Sequence, residues 1–191
     1  MLLKREHASE HGRALANGVE TALITKKQTE LRGSLKVAFK NVTLQFAEPP
    51  SRAELEKQVQ SGNKYIRIHA RGLLDELDAR GTIETEFDHF PLQVARFGDD
   101  LTLVGICGEA VVDYSLRCQQ ELSDASRTAV WTAGYCNDVF GYLPSERVLQ
   151  EGGYEAGEAM RYTTFPGPFD SSVESRIMEG IHQLMRESGQ E

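Results

Sequence analysis

Cysteine is scarce in this chain, and the three cysteines are far apart. Cys107, Cys118 and Cys136 form an odd set, and none of them belongs to a CxxC motif. This spacing argues against a disulfide framework and against a cysteine-rich zinc site. We therefore expect all three to be small buried residues.

Long apolar runs are also missing. No stretch of 18 apolar residues occurs, so the sequence predicts no transmembrane helix. The first seven residues lack the apolar segment of a signal peptide. If the chain is a piece of a longer protein, any export signal would lie upstream, and the sequence therefore does not assign a compartment.

Clustered positive charge is the third absence. The formal net charge is −8, the isoelectric point is near 5.2, and the longest basic stretches are Lys4-Arg5 and Lys26-Lys27. This charge pattern argues against a nucleic-acid partner, because phosphate binding needs clustered Lys and Arg. The acidic balance mostly reports solubility.

The residues that are present are those of a globular protein. Hydrophobic residues make up 40% and charged residues 26% of 191 positions, which is enough apolar material for a core. Periodicity predicts helices over 7–24, 51–60, 64–79, 110–122, 145–151 and from 172, and strands over 34–46, 90–98, 101–107 and 130–135. We expect one α/β (α+β) domain over 1–191, a layered mixed β-sheet packed with helices.

Some local features sharpen this expectation. The alternation of apolar residues changes parity at Lys40-Asn41, which indicates a β-bulge or a break between two strands. Ser51 with Glu54 predicts a capping box, and Ser171 with Glu174 predicts a second one. His11 lies on the apolar stripe of its helix, where a core or interface role competes with metal binding, and His69 lies off its stripe and is expected in solvent.

Glu109 is the first residue that a plain core does not explain. It follows a strand that is apolar on both faces, and a carboxylate there needs a pairing partner, a hydrogen bond or a metal. Strand ends of this kind often carry sites in α/β proteins. Equally, Glu109 would favour the dipole at the start of the next helix.

Two glycine- and tyrosine-rich segments follow. Gly134-Tyr135-Cys136-Asn137-Asp138-Val139-Phe140-Gly141-Tyr142 is either part of a site or a turn in which Asn137 and Asp138 bond the local backbone. Glu151-Gly152-Gly153-Tyr154-Glu155 allows close backbone approach to a substrate, or it is a helix C-cap followed by a packed tyrosine.

Together these segments resemble the C-terminal motifs of the neutral/alkaline (non-lysosomal) ceramidase family, in a bacterial ceramidase-like branch. The resemblance covers most of 90–160 and implies a part of a larger zinc-dependent catalytic domain. It implies that Glu109 and Tyr142 are zinc ligands, that Tyr142 is also catalytic, and that Tyr154 faces the amide of an N-acyl sphingolipid. Tyr154 follows Tyr142 by twelve positions, as in that family.

The rest of the family's site has no counterpart in this chain. The resemblance implies two zinc-binding histidines, and a histidine and an arginine for substrate, all from an N-terminal half that is absent here. The five histidines, at positions 7, 11, 69, 89 and 182, form no HxH or HExxH pair, and only His89 lies near the strand that leads to Glu109. Zinc is therefore expected only if histidine ligands come from elsewhere.

Three functional hypotheses remain open. The chain is part of a ceramidase-like amidase that is inactive in isolation, or it is a non-catalytic, partner-binding domain with the same fold. In the third, a separate subunit supplies the histidines. The first and third predict a large exposed apolar face, which would also favour a homodimer.

Overall fold

A computed structural model describes residues 2–25, 28, 30–123 and 128–189 of the chain. Two compact units are distinguished, residues 1–31 and residues 32–191, and each is described by itself. The Lys26-Lys27 pair lies outside the described residues.

The first unit is a single long helix. Helix α1 (Leu2–Ile24) contains the helix expected over 7–24 and begins earlier. The side chains of Leu15, Val19 and Leu23 on its apolar stripe are exposed, and so is His11.

The second unit alternates strands and helices along the chain. In chain order its elements are β1 (Leu35–Gln45), α2 (Arg52–Gln58), α3 (Lys64–Arg80), β2 (Glu86–Phe97), β3 (Leu101–Ile106), β4 (Glu109–Ala110), α4 (Val112–Leu122), β5 (Ala129–Ala133), β6 (Tyr142–Leu143), α5 (Glu146–Glu151), a 3₁₀ helix (Glu158–Tyr162) and α6 (Val173–Gly189). The expected α/β class, a mixed sheet packed with helices, is confirmed.

Four strands form the main sheet in the order β1-β2-β3-β5. The first two neighbouring pairs are antiparallel and β3 with β5 is parallel, which makes the sheet mixed. The expected central position of β3 is confirmed. The β-bulge or strand break expected at Lys40-Asn41 is wrong, because the register with β2 runs unbroken there and the apolar residues before and after it lie on opposite faces of one strand. The register shifts later, between Val42 and Leu44, where the extra residue belongs to β2.

One face of this sheet is the core. Helix α6 packs across β1 and β2, and α4 packs against β5. Gly180 permits the close approach of α6, because a Cβ there would lie 2.8 Å from the Leu92 Cδ1 atom and 2.9 Å from the Val42 Cγ1 atom. The fully buried side chains in this layer include Leu92, Val94, Val104, Ile106, Tyr114, Ile177, Ile181 and Leu184.

The opposite face of the sheet is apolar and open. The strand register aligns Val37, Ala95, Leu103 and Trp131 across it, with parallel rows led by Leu35 and Phe39 on either side. Leu35, Val37 and Phe39 are more than half exposed, and Trp131 is 66% exposed. The three rows contain no charged residue. An exposed face of this kind is what the first and third functional hypotheses anticipate.

A smaller core forms beneath α2 and α3. Leu55, Ala70, Leu73 and Ile83 are buried together there. The expected capping box is confirmed: the Glu54 amide donates to the Ser51 hydroxyl, and the Ser51 amide donates to the Glu54 carboxylate.

Several local expectations were wrong. His69 is half-buried and its Nε2 atom lies 2.6 Å from the Phe165 carbonyl oxygen, because the loop after the 3₁₀ helix folds over α3. The Ser171 capping box is replaced by Asp170, whose carboxylate accepts from the Ser172 amide at 2.8 Å. The Glu174 carboxylate instead accepts from the Arg117 guanidinium at 3.0 Å and from the Glu146 amide at 2.9 Å.

Two of the three cysteines are buried. Cys107 and Cys118 are buried as expected, whereas Cys136 is only half-buried. Burial raises the pKa of the Cys107 thiol to about 12, which keeps it protonated and unreactive at neutral pH.

Within the described part of the chain, no helix combines the length and the apolar character needed to cross a membrane.

Burial predicts which side chains of these helices matter for stability. Leu184→Ala in α6 removes a fully buried side chain and is expected to lower the unfolding free energy by about 2–5 kcal/mol. Leu116→Ala in α4, where the side chain is 58% exposed, is the matched control and is expected to change it by less than about 0.5 kcal/mol. Urea denaturation of both variants measures the difference, and equal losses would contradict this assignment of the core.

Candidate functional site

A sharp turn after β3 brings Glu109 out of the main sheet. Gly108 has φ 72°, and a Cβ there would lie 2.6 Å from the Phe140 ring and 2.7 Å from the Gly141 carbonyl oxygen. Only glycine satisfies both the left-handed backbone and this close approach. The turn redirects the chain into β4, which begins at Glu109.

Glu109 then pairs with Tyr142 across a small parallel sheet. β4 and β6 place the two residues in register, and the Glu109 amide donates to the Gly141 carbonyl at 2.8 Å. Helix α4 begins only at Val112, with Val111 as its N-cap. The alternative of Glu109 as a helix-start residue is therefore wrong, because its backbone is part of a strand.

The segment before Tyr142 is a tight loop fastened to the Gly108 turn. β5 ends at Ala133, two residues earlier than expected, and Tyr135 and Asn137 then adopt positive φ angles of 57° and 68°. The Gly108 amide donates to the Asp138 carbonyl at 3.1 Å, and the Val139 amide donates to the Asp138 carboxylate at 2.7 Å. The local-turn interpretation is correct for Asp138, and the same turn positions the residues around Glu109.

Tyr154 reaches the same corner from α5. Gly152 ends that helix at φ 75°, with its amide donating to the Val148 carbonyl at 3.0 Å, so the C-cap interpretation is confirmed. The Tyr154 ring then packs edge-on against Tyr142, with centroids 5.3 Å apart and planes at 72°. The Tyr154 side chain stays 46% exposed. The three residues singled out in the sequence, Glu109, Tyr142 and Tyr154, therefore lie together.

Glu109 raises the pKa of the two phenols of Tyr135 and Tyr142. Partial loss of solvent and the Glu109 carboxylate together raise the pKa of Tyr142. Hydrogen bonding to Glu109 raises the pKa of Tyr135 to about 12.

A cleft of about 360 Å³ opens beside Glu109 and Tyr142. Its polar lining consists of Glu109, Tyr142, Arg147, Glu151 and Glu155. The Arg147 guanidinium is paired with Asp113 at 3.0 Å and with Glu151 at 2.7 Å, which neutralises its charge. The remaining carboxylates give the cleft a negative character.

Sequence reasoning missed three of the residues at this corner. Tyr135 lies within the segment that begins at Gly134, and the sequence assigns it no role of its own. Arg147 and Glu155 reach the cleft only because α5 folds back toward α4. No residue spacing in the sequence predicts that arrangement.

The histidines lie elsewhere in the described structure. His89 is exposed and contacts Asp88, and both line a separate cleft of about 810 Å³ that includes none of Glu109, Tyr142 and Tyr154. The larger volume of that second cleft does not make it the better site, because it lacks all three of these residues. His182 pairs with Glu121 at 2.6 Å. His89 is thus not brought to Glu109.

Three or more His, Cys, Asp or Glu side chains do not converge as a metal-binding set anywhere in the described ranges. A zinc site at this corner would have the Glu109 carboxylate and the Tyr142 phenol as donors. Zinc accepts carboxylate oxygen, and catalytic sites take three protein ligands and leave a fourth position for water. The corner therefore fits part of a zinc site.

Neither protein-family models nor curated protein sequences yield a match to this chain.

The Gly108 turn is expected to be intolerant of any side chain. Gly108→Ala adds both left-handed strain and overlap with Phe140, so the unfolding free energy should fall by about 2–5 kcal/mol. Gly152→Ala is the control, because it has a similar φ of 75° but open space around the new Cβ, and it should cost about 1–2 kcal/mol. Chemical denaturation measures both, and equal costs would contradict the close approach at Gly108.

The pairing of α4 with α5 predicts an acid-dependent part of stability. Hydrogen bonds from Ser145 and Arg147 lower the pKa of Asp113, so the folded state binds its proton less readily than the unfolded chain. This contribution is present above the unfolded value of about 3.9 and is lost as the pH falls through the lowered pKa. Asp113→Asn should remove that part of the pH dependence in urea titrations at pH 2–5.

A matched substitution tests whether the effect belongs to Asp113. Asp75→Asn replaces an exposed aspartate on α3. In this variant the unfolding free energy should change with pH by the same amount as in the unaltered chain. If Asp113→Asn also leaves the pH dependence of the unfolding free energy unchanged, the ion pair of Asp113 with Arg147 does not stabilise the folded state.

Proposed function

We propose that this chain is part of a zinc-dependent amide hydrolase resembling the neutral ceramidases, acting on an N-acyl sphingolipid or a related N-acyl amide. The site would be completed by histidines from a second polypeptide or from the N-terminal half of the same enzyme. Alone, the chain is expected to be inactive.

One observation carries this proposal. Glu109, Tyr142 and Tyr154 come from three separate segments, and the structure brings them to one corner beside a cleft. Their identification came from motif order and spacing, which contain no information on distance in space. A chance set of motif positions would have no reason to converge.

The donors at the corner suit amide hydrolysis. Glu109 and Tyr142 would hold zinc, which when bound supplies Lewis-acid polarisation of a carbonyl and an activated water. Tyr154 packs on Tyr142 and is still half-exposed, and it would donate a hydrogen bond to the amide oxygen as that oxygen gains negative charge. The negative cleft would attract the metal cation.

The open sheet face supports the need for a partner. Leu35, Val37, Phe39 and Trp131 expose apolar surface in rows without a charge, and a second layer would bury them. Stacked sheets pack about 10 Å apart with interdigitating side chains, so a partner sheet is one suitable covering. A homodimer through this face is the alternative covering.

The same face favours the second candidate function. A partner-binding domain without catalysis would use the open sheet in the same way and would not need zinc. The two candidates differ at Glu109 and Tyr142, which only the hydrolase requires.

The test is zinc content after equilibrium dialysis, with and without free imidazole as a substitute for the missing histidine side chains. The proposal expects imidazole to increase zinc retention. Retention should fall in Glu109→Gln and in Tyr142→Phe, because each removes or weakens one donor. Tyr65→Phe on α3 is the matched control and should retain zinc like the unaltered chain.

Zinc retained equally by all variants, or by none of the samples with imidazole, would contradict the proposal and favour the partner-binding domain. Fatty-acid release from an N-acyl amide probe, measured on the same samples, should be absent without imidazole.

A further inference from the structure

Phenylalanine rings contribute to the lining of the second cleft, the cavity of about 810 Å³ that contains Asp88 and His89. The ring centroid of Phe87 lies 5.4 Å from that of Phe140 and 5.2 Å from that of Phe165, and the Phe46 centroid lies 5.1 Å from that of Phe165. Phe140 and Phe165 are only half-buried. Small-molecule sites typically enclose about 300–1,000 Å³, so the second cleft has the size and the connected aromatic surface of such a site.

Carboxylates make up most of the charged lining of the same cleft. Among the described lining residues, one guanidinium, that of Arg80, stands against five carboxylates, those of Glu76, Glu84, Glu86, Asp88 and Asp138. Arg80 pairs with Glu76 at 3.3 Å, and His89 contacts Asp88. Three carboxylates are left after these two pairs, so the second cleft has a negative potential.

The protein does not neutralise these three carboxylates. The Glu86 carboxylate accepts from the Gln45 side-chain amide at 2.9 Å, and the Asp138 carboxylate accepts from the Val139 backbone amide at 2.7 Å. Both donors are uncharged. Glu84 is exposed, and its carboxylate has no ion-pair or hydrogen-bond partner within the part of the chain that the structure describes. A ligand with positive charge would therefore find unpaired negative charge beside the aromatic rings.

The arrangement of the carboxylates suits an organic cation better than a bare metal ion. Within the described ranges, no three His, Cys, Asp or Glu side chains converge as a metal-binding set, so the carboxylates of the cleft are spread around it. A larger cation can meet spread carboxylates with its charged end while its apolar part lies on the rings. An ammonium group is also attracted to an aromatic face within about 6 Å of the ring centroid.

We propose that the second cleft binds a small organic ammonium ion with an aromatic or branched apolar group. The carboxylates of Glu84, Glu86 and Asp138 attract the ammonium group, and the exposed parts of Phe140 and Phe165 contact the apolar group. This binding site goes beyond the proposed function, because it includes none of Glu109, Tyr142 and Tyr154 and needs no zinc.

The experiment is an NMR titration of the unaltered full chain at neutral pH with phenethylammonium as the probe. Three comparison compounds each remove one feature: phenethyl alcohol removes the charge, hydrocinnamate reverses it, and ethylammonium removes the ring. Phenethylammonium should bind at least about tenfold more tightly than each of the three, since both charge and ring contribute. The amide signals of His89 and Thr164 should shift, and those of Glu109 and Ala110 should stay in place.

A charge-removing variant tests the role of the carboxylates. Glu84→Gln should weaken phenethylammonium binding about two- to fivefold, the size expected for one exposed ion pair. Glu56→Gln on α2 is the matched control, because it removes the same charge from an exposed position outside the cleft and should leave the affinity unchanged. Both positions are exposed, so neither substitution is expected to unfold the chain.

Three results would overturn the proposal. The first is equal binding of phenethylammonium and phenethyl alcohol, which would mean that the charge is not recognised. The second is equal binding of phenethylammonium and ethylammonium, which would mean that the rings are not used. The third is an absence of binding, or shifts centred on Glu109. The zinc measurement and this titration concern different residues, so either can fail without the other.

Discussion

The close approach of Gly108 to Phe140 and Gly141 is the constraint on which the candidate site depends. Gly108 follows the buried strand β3, and its left-handed backbone turns the chain. The same residue packs against Phe140 and Gly141, just before β4 and β6 begin. Glu109 follows this turn directly, and Tyr142 follows the segment that the turn contacts. Without it, the carboxylate would continue along the main sheet, away from both tyrosines.

The two faces of the main sheet have different consequences. One is closed by α6 and α4 and contains the large buried side chains, which supply the hydrophobic stabilisation. The other exposes Trp131 and the apolar side of β1. Under the proposed function, a second polypeptide segment would both cover this face and complete the ligand set at Glu109.

Much of the fold could be predicted because it is encoded by local periodicity. The bounds of α3, α5 and β3, and the Ser51 capping box, all depend on residues within a few positions of one another. The errors arose where tertiary contacts decide. His69 is half-buried because it contacts the carbonyl of Phe165, 96 positions away in the chain. Glu174 does not cap its helix because its carboxylate accepts hydrogen bonds from Arg117 and from the Glu146 amide.

In the candidate site, too, some residues could be predicted from the sequence and others only from the tertiary structure. Glu109, Tyr142 and Tyr154 were identified by motif, and their convergence is a structural finding. Tyr135 and Arg147 required the folded chain, since the first depends on a strained backbone and the second on the packing of α5 against α4.

The central claim is that Glu109 and Tyr142 form one side of a metal site, and paramagnetic NMR tests it most directly. With cobalt(II) in place of zinc and with free imidazole present, the account predicts that the ring signals of Tyr142 and Tyr154 shift and broaden first. Broadening centred on His89 and Asp88, with the tyrosine signals unchanged, would contradict it.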